Sequence, residues 1–209
     1  MAVFGPDGAG KSAVIKRVAQ QLQPPFATVQ QFHFRPMFRR EWRDSPSVTE
    51  PHGQPPRGTL ISILKLLYWL ADCWYGYLVT IRPARGGLRL VIFDRYLPDI
   101  LIDPQRYRLP ASCRWYARGI VQMAPRPDLC IVLDVPAAIL QHRKPEVSPA
   151  ESQRQRLAYR EMLRSLPHAF AVNAVPAVEE VTDEVKRLIL RSLDGNCVNR
   201  AEVSLLADV

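Results

Sequence analysis

The chain has 209 residues, a formal net charge of +8 and 47% hydrophobic residues. That is enough for one sizeable domain with an ample core, or a domain with a small appendage. The basic balance suits nucleotides, nucleic acid or an anionic membrane. No basic run interleaved with aromatics tracks along the chain, which sets nucleic acid aside. The four cysteines (Cys73, Cys113, Cys130, Cys197) show neither CxxC spacing nor a metal-ligand grouping, and read as reduced thiols of a cytoplasmic protein.

In chain order, Ala2-Val3-Phe4 is a short first strand. It runs into Gly5-Pro6-Asp7-Gly8-Ala9-Gly10-Lys11-Ser12, the Gly-x4-Gly-Lys-Ser phosphate-loop pattern. Glycines there let backbone amides approach phosphate oxygens, and a row of inward N–H groups forms an anion nest. Lys11 is a point charge for the β- and γ-phosphates, and Ser12 offers a hydroxyl to Mg²⁺. Residues Ala13–Leu22 have helical period, and the helix N-terminus favours the same anion. Gly8, Ala9, Gly10, Lys11, Ser12 and Ala13 are therefore the expected ATP-binding residues. No secretory leader is expected ahead of a loop that begins at residue 5.

Phe26–Phe34 reads as the second strand. From Arg35 to Gly58 the chain is irregular and basic (Arg35, Arg39, Arg40, Arg43, Arg57), either a solvated loop or a contact for an anionic substrate. Thr59–Arg82 is the most hydrophobic stretch. Its length suits a membrane span, but Lys65 and Asp72 each cost roughly 2.5–3.5 kcal/mol at a bilayer centre. The expectation is a buried core helix or one face of a homodimer interface, with no stable membrane insertion.

Leu88–Phe93 is the third strand, ending at Asp94-Arg95-Tyr96. An irregular stretch follows from Pro98 to Pro110, then a helix over Ser112–Met123. Leu129–Asp134 is a fourth strand, apolar as a fully buried parallel strand should be. Helices at Ala137–His142 and Glu151–Leu166 flank a polar segment. Ala169–Asn173 is the fifth strand, and Val178–Leu193 the last helix. This alternation predicts a three-layer α/β/α fold with a five-stranded parallel sheet. The expected division is a domain over 1–193, with a basic insert at about 36–57 and a cationic lid at about 143–156, and a tail over 194–209.

Ligands in such sheets sit beyond the carboxyl ends of the strands. That edge gathers the phosphate loop, Arg35, Asp94, Arg95 and Asp134. Asp94, facing Ser12, is the expected Mg²⁺ carboxylate. Arg95 has the fork to bind a second phosphate bidentately. Asp134 competes for the metal role or caps the next helix. Arg143, Lys144, Arg154 and Arg156 make up a lid that brings positive charge to a moving phosphoryl group.

With these features the chain resembles the thymidylate kinase family. The resemblance is carried by the loop at 5–12, by Leu70-Ala71-Asp72 with Ile81-Arg82-Pro83-Ala84, and by Val91 to Tyr96. Pro127-Asp128-Leu129, Leu133-Asp134-Val135-Pro136 and Glu179-Glu180-Val181 extend it. It implies a P-loop kinase that moves the γ-phosphate of ATP to a nucleoside monophosphate, with ATP and Mg²⁺ as cofactors. It further implies that Asp7, Arg35, Asp72 and Arg95 contact the small-molecule acceptor. Members with a catalytic arginine inside the loop carry it where this chain has Gly8, so the cation is expected from Arg143 or Arg154.

Three features depart from the family pattern, one of them the basic insert at 36–57 in place of a more compact loop. Cys73 stands where a thymine-reading arginine is common, and Leu97–Pro104 replaces a Gln-bearing helix with a proline-containing stretch. The expected acceptor is thus different from, or broader than, dTMP. The competing readings are a kinase of a nucleoside, sugar or other small alcohol, and a non-catalytic nucleotide-binding protein.

Overall fold

The computed structural model describes residues 1–23, 26–34, 54–84, 89–143, 147–166 and 168–193. β1 (Ala2–Phe4) leads into α1 (Lys11–Leu22) and then β2 (Thr28–His33). α2 (Thr59–Gly76) runs on through a π-helical turn (Tyr77–Ile81) into the short α3 (Arg82–Ala84). β3 (Arg89–Asp94) is followed by α4 (Asp99–Ile102), a 3-10 turn (Ala111–Cys113) and α5 (Arg114–Met123). β4 (Cys130–Asp134), α6 (Ala137–Arg143), α7 (Pro149–Ser165), β5 (Ala169–Asn173) and α8 (Val178–Leu193) complete the order.

The five strands are all parallel, in the order β2-β3-β1-β4-β5. Helices cover both faces, as the strand–helix alternation predicts. Strand alternation divides the core in two. Ala2, Phe4, Phe93, Cys130 and Val132 face α2, α5 and α7, while Val3, Ile92, Ile131 and Leu133 face α1 and α8. The short β1 is central and wholly buried, with Ala2 opposite both Phe93 and Cys130. Its connections leave on one side toward β2, whereas β3 sends the chain to the other side. The carboxyl ends of β1 and β3 therefore flank a crevice where a ligand can enter.

Two expectations change, and of the two alternatives for 59–82 only the fully buried core helix does. The stretch 59–82 is half buried: Leu66, Trp69, Leu70 and Cys73 pack inward, but Leu60 is 70% exposed, and Ile61, Leu64, Leu67 and Tyr68 are also exposed. Its hydrophobicity serves two faces, only one of which meets the sheet. No described helix is long and apolar enough to cross a membrane.

The stretch after Pro98, expected to be irregular, forms the one-turn α4. Pro98 caps it from just ahead of the first turn, where its missing N–H has no intrahelical role. α7 starts at Pro149, two residues early, because Ser148 caps it by accepting from the Glu151 N–H. Arg35, Lys144, most of the 36–57 insert and the tail at 194–209 lie outside the described residues.

Candidate active site

The phosphate loop is shaped by three glycines with positive φ: Gly5 at 144°, Gly8 at 84° and Gly10 at 83°. A Cβ on Gly5 would come within 2.9 Å of the Leu133 carbonyl oxygen on β4. Both the backbone angle and the close approach exclude a side chain there. Gly5→Ala is expected to destabilise the fold by about 1–3 kcal/mol; coincident urea midpoints for variant and wild type would contradict this.

Gly10 precedes α1 without any side-chain cap, so the first amides of this helix stay available to an anion. Lys11 Nζ is buried and donates to the carbonyls of Gly5 and Pro6, each at 2.8 Å, with Asp7 at 4.0 Å. Burial, helped by the nearby Arg95 charge, lowers its pKa to about 8. The loop is thus pre-folded around its own lysine. Ser12 is exposed at the start of α1. An uncapped helix N-terminus, a glycine cradle and a buried lysine together fit the phosphates of ATP.

Asp94 ends β3, paired in register with His33 of β2. Asp94 Oδ2 lies 3.5 Å from His33 Nδ1. Its Oδ1 is buried and has no hydrogen-bond partner among the described residues. Burial pushes this carboxyl up, but His33, Lys11 and Arg95 outweigh it and hold it below the usual carboxylate range. A buried anionic oxygen without a donor fits Mg²⁺ or its water shell, since Mg²⁺ is commonly held by one or two carboxylates plus phosphates. Among the described residues no three His, Cys, Asp or Glu side chains gather into a metal cage.

Arg95 adopts a left-handed backbone, φ 65°, with its N–H donating to the Val3 carbonyl. This unusual conformation for a non-glycine residue sits at the centre of a buried ionic cluster. Arg95 Nη1 donates to Asp99 Oδ2 at 2.7 Å and to the Tyr159 hydroxyl at 3.1 Å. Nη2 donates to Asp7 Oδ1 at 2.7 Å. Burial opposes the Arg95 charge, yet Asp99, Tyr159 and Asp7 more than reverse that and raise its pKa. Asp99 is fully buried and also accepts from the hydroxyls of Tyr107 and Tyr159.

Asp7 accepts from Arg95 on one oxygen and from Arg106 Nη2 on the other. Burial alone would raise its pKa, but Arg95, Lys11 and Arg106 hold it well below the usual range. Behind this cluster Phe34 stacks on Tyr107, with ring centroids 4.8 Å apart, and meets Trp69 edge-on. His33, Asp99, Arg106, Tyr107 and Tyr159 belong to this constellation and are absent from the sequence expectation. The i, i+4 spacing of Arg95 and Asp99 across Pro98 was a local signal for one of them.

The lid arginines divide. Arg143 donates to the carbonyls of Ala174 and Val175, at 3.0 Å each. There it lines a cavity of about 230 Å³ together with Gly8, Ala9, Gly10 and Ala13. Arg154 pairs with Glu151 and donates to the Ile102 carbonyl, against the α4 segment. Asp134, expected as a metal ligand or helix cap, has both carboxylate oxygens engaged by arginines of α7. Arg156 grips both its oxygens at 2.7 and 2.9 Å, and Arg160 adds a bond at 3.1 Å. Cys73 is buried in the core, where Tyr96 lies beside it. Asp72 is buried on the inner face of α2. A second cavity, about 150 Å³, lies at the opposite, amino-terminal edge of the sheet, among Met1, Arg89, Arg126 and Leu193.

No protein-family model matches the chain. It is 28% identical over 201 residues to a probable thymidylate kinase of Pyrobaculum aerophilum, covering 91% of this chain and 96% of that protein. It is 30% identical over 124 residues to a probable thymidylate kinase of Pyrococcus abyssi, covering 56% and 59% respectively. The thymidylate kinase of Staphylococcus haemolyticus is 24% identical over 212 residues, covering 90% and 96%. The first and third of these likenesses run along nearly the whole chain, and a P-loop kinase likeness agrees with the five-stranded parallel sheet and its flanking helices. In sequence, the chain is thus similar to proteins named as thymidylate kinases.

Proposed function

We propose that the chain is a nucleoside monophosphate kinase that transfers the γ-phosphoryl group of ATP to the phosphate of its acceptor. The observation that carries this reading is the convergence of Lys11, Asp94 and Arg95 at the carboxyl edge of β1 and β3. Phosphoryl transfer needs positioning and charge stabilisation more than covalent chemistry. Lys11, the loop amides and Ser12 take the donor phosphates. Asp94 and Ser12 serve Mg²⁺, which when bound spreads and neutralises the charge of the phosphates. Arg95, held from behind by Asp99, faces the acceptor. Arg143 lies on the cavity beside the loop, from which it would supply positive charge to the transferred phosphoryl group. Asp72 and Arg35 complete the acceptor contacts in this reading, and the cytoplasm, where ATP is abundant, is the compartment it suits.

A second reading, a kinase of a small alcohol, draws on the same cluster. Arg95 is already matched by two carboxylates, Asp7 and Asp99. The two separate in one experiment: ATP consumption by the pure protein with Mg²⁺, screened over nucleoside monophosphates, nucleosides and sugars, with Lys11→Ala as control. The first reading expects turnover of at least one monophosphate, dTMP being the first to try. Turnover confined to neutral alcohols overturns it in favour of the second, and no turnover at all overturns both.

A further inference from the structure

Two guanidinium groups, both from the chain between β3 and α5, meet on one carboxylate beside the phosphate loop. Arg95 takes Asp7 Oδ1 and Arg106 takes Asp7 Oδ2. Each arginine has an acid of its own behind it. Arg95 has Asp99, and Arg106 has Asp103, with Nε and Oδ2 3.8 Å apart. Asp103 is buried and is tied to α7 by Gln155 Nε2 at 3.2 Å.

The turn bearing Arg106 does not rely on that side chain for its shape. The Arg108 N–H donates to Gln105 O, the Leu109 N–H to Pro104 O, and the Arg106 backbone N–H to Asp103 Oδ1. The side chain is therefore placed by the fold and points to the mouth of the phosphate loop. Asp7 shows what this place binds: an oxyanion that gives one oxygen to each fork. A phosphate monoester offers the same, with one oxygen more, and planar guanidinium forks suit it better than a lysine does.

We propose that Arg106 is a specificity-determining residue that binds the acceptor's phosphate jointly with Arg95. This rests on the monophosphate kinase reading above and deepens it. Arg95 alone would hold the phosphate by one edge. The second fork fixes its rotation, and so directs one oxygen toward the donor for in-line attack. Arg106 thereby makes the site select for acceptors that already carry a phosphate.

The test compares wild type, Arg106→Gln and Arg106→Lys in steady-state kinetics with the monophosphate that the wild type turns over best. The nucleoside of that monophosphate is titrated in parallel as a competitive inhibitor. Arg106→Gln is expected to raise the acceptor KM about 10- to 100-fold, the range for losing a charged hydrogen bond. The KM for ATP and the inhibition constant of the nucleoside stay within about threefold. Arg106→Lys, which keeps the charge and loses the fork, gives a smaller rise and carries the test should Arg106→Gln not fold. An unchanged acceptor KM overturns the proposal, as does an equal loss for monophosphate and nucleoside, which marks a structural residue. Absence of monophosphate turnover in the wild type overturns the kinase reading itself, and is thus told apart from failure of Arg106 alone.

Discussion

Lys11→Met is expected to lower kcat by at least about 10²–10³-fold, the loss typical of removing one group that stabilises transition-state charge, while leaving the fold as stable as the wild type at neutral pH. The reason lies in where the charge sits. Lys11 Nζ is buried, held by the carbonyls of Gly5 and Pro6, and its pKa is lowered to about 8 from 10.5. The protonated amine is thus less favourable in the folded protein than in the unfolded chain. Methionine is unbranched and close in volume, though one atom shorter, and removes that penalty at the cost of the two hydrogen bonds. The sign of the pH effect follows. Between pH 8 and 10.5 the unfolded chain binds a proton that the native state has released, so this residue makes wild-type stability rise with pH across that window. Lys11→Met lacks this increment. Denaturation at pH 7.5 and pH 10 tests it: a wild type that gains nothing relative to the variant would show that Lys11 is not desolvated. Full activity in the variant would remove the phosphate loop from the mechanism.

Asp99→Ala is expected to cost about 3–5 kcal/mol, the range for breaking a buried ion pair by deleting one partner. For a domain of this size that is a fall in Tm of roughly 6–20 °C. Asp99 is wholly buried and accepts from Arg95, Tyr107 and Tyr159 together. Its removal strands two hydroxyls and half the compensation of a buried guanidinium. Asp99→Asn keeps the shape and two acceptor sites on its carbonyl oxygen, and should fall between the variant and the wild type. A Tm within 2 °C of wild type for Asp99→Ala would mean that water or a rearranged Asp7 replaces the carboxylate at no cost.

The readable part of the site is the part that local sequence determines. The loop at 5–12 was legible because its glycines and lysine act within one turn of chain. Asp94 and Arg95 were legible because an apolar strand ends on them at the ligand-bearing edge. Asp99, Arg106 and Tyr159 were not. Their meaning comes from contacts made across the fold: Arg95 to Asp7 spans 88 residues, Arg95 to Tyr159 spans 64, and Arg106 to Asp7 spans 99. Nothing near Arg106 marks it out from the other arginines of a basic chain. The same limit explains Asp134, which reads as a strand-end carboxylate and is in fact the anchor for Arg156 and Arg160 of α7. For α2 the composition was clear and the environment was not, because periodicity alone does not say whether the second apolar face is covered.

The position of β1 has a consequence for how the protein comes into being. β1 precedes β2, β3 and β4 in the chain, yet its neighbours in the sheet are β3 and β4, whose pairing partners for Ala2 are Phe93 and Cys130. No hairpin or local contact can hold three residues of strand in place while the chain grows. Pairing of this kind waits for long loops to close and is slow to nucleate. The Gly5 backbone is pressed against the Leu133 carbonyl, which belongs to β4. The phosphate cradle is therefore encoded well before β4 and acquires its shape only after β4 is in place. During synthesis the motif exists long before the site does.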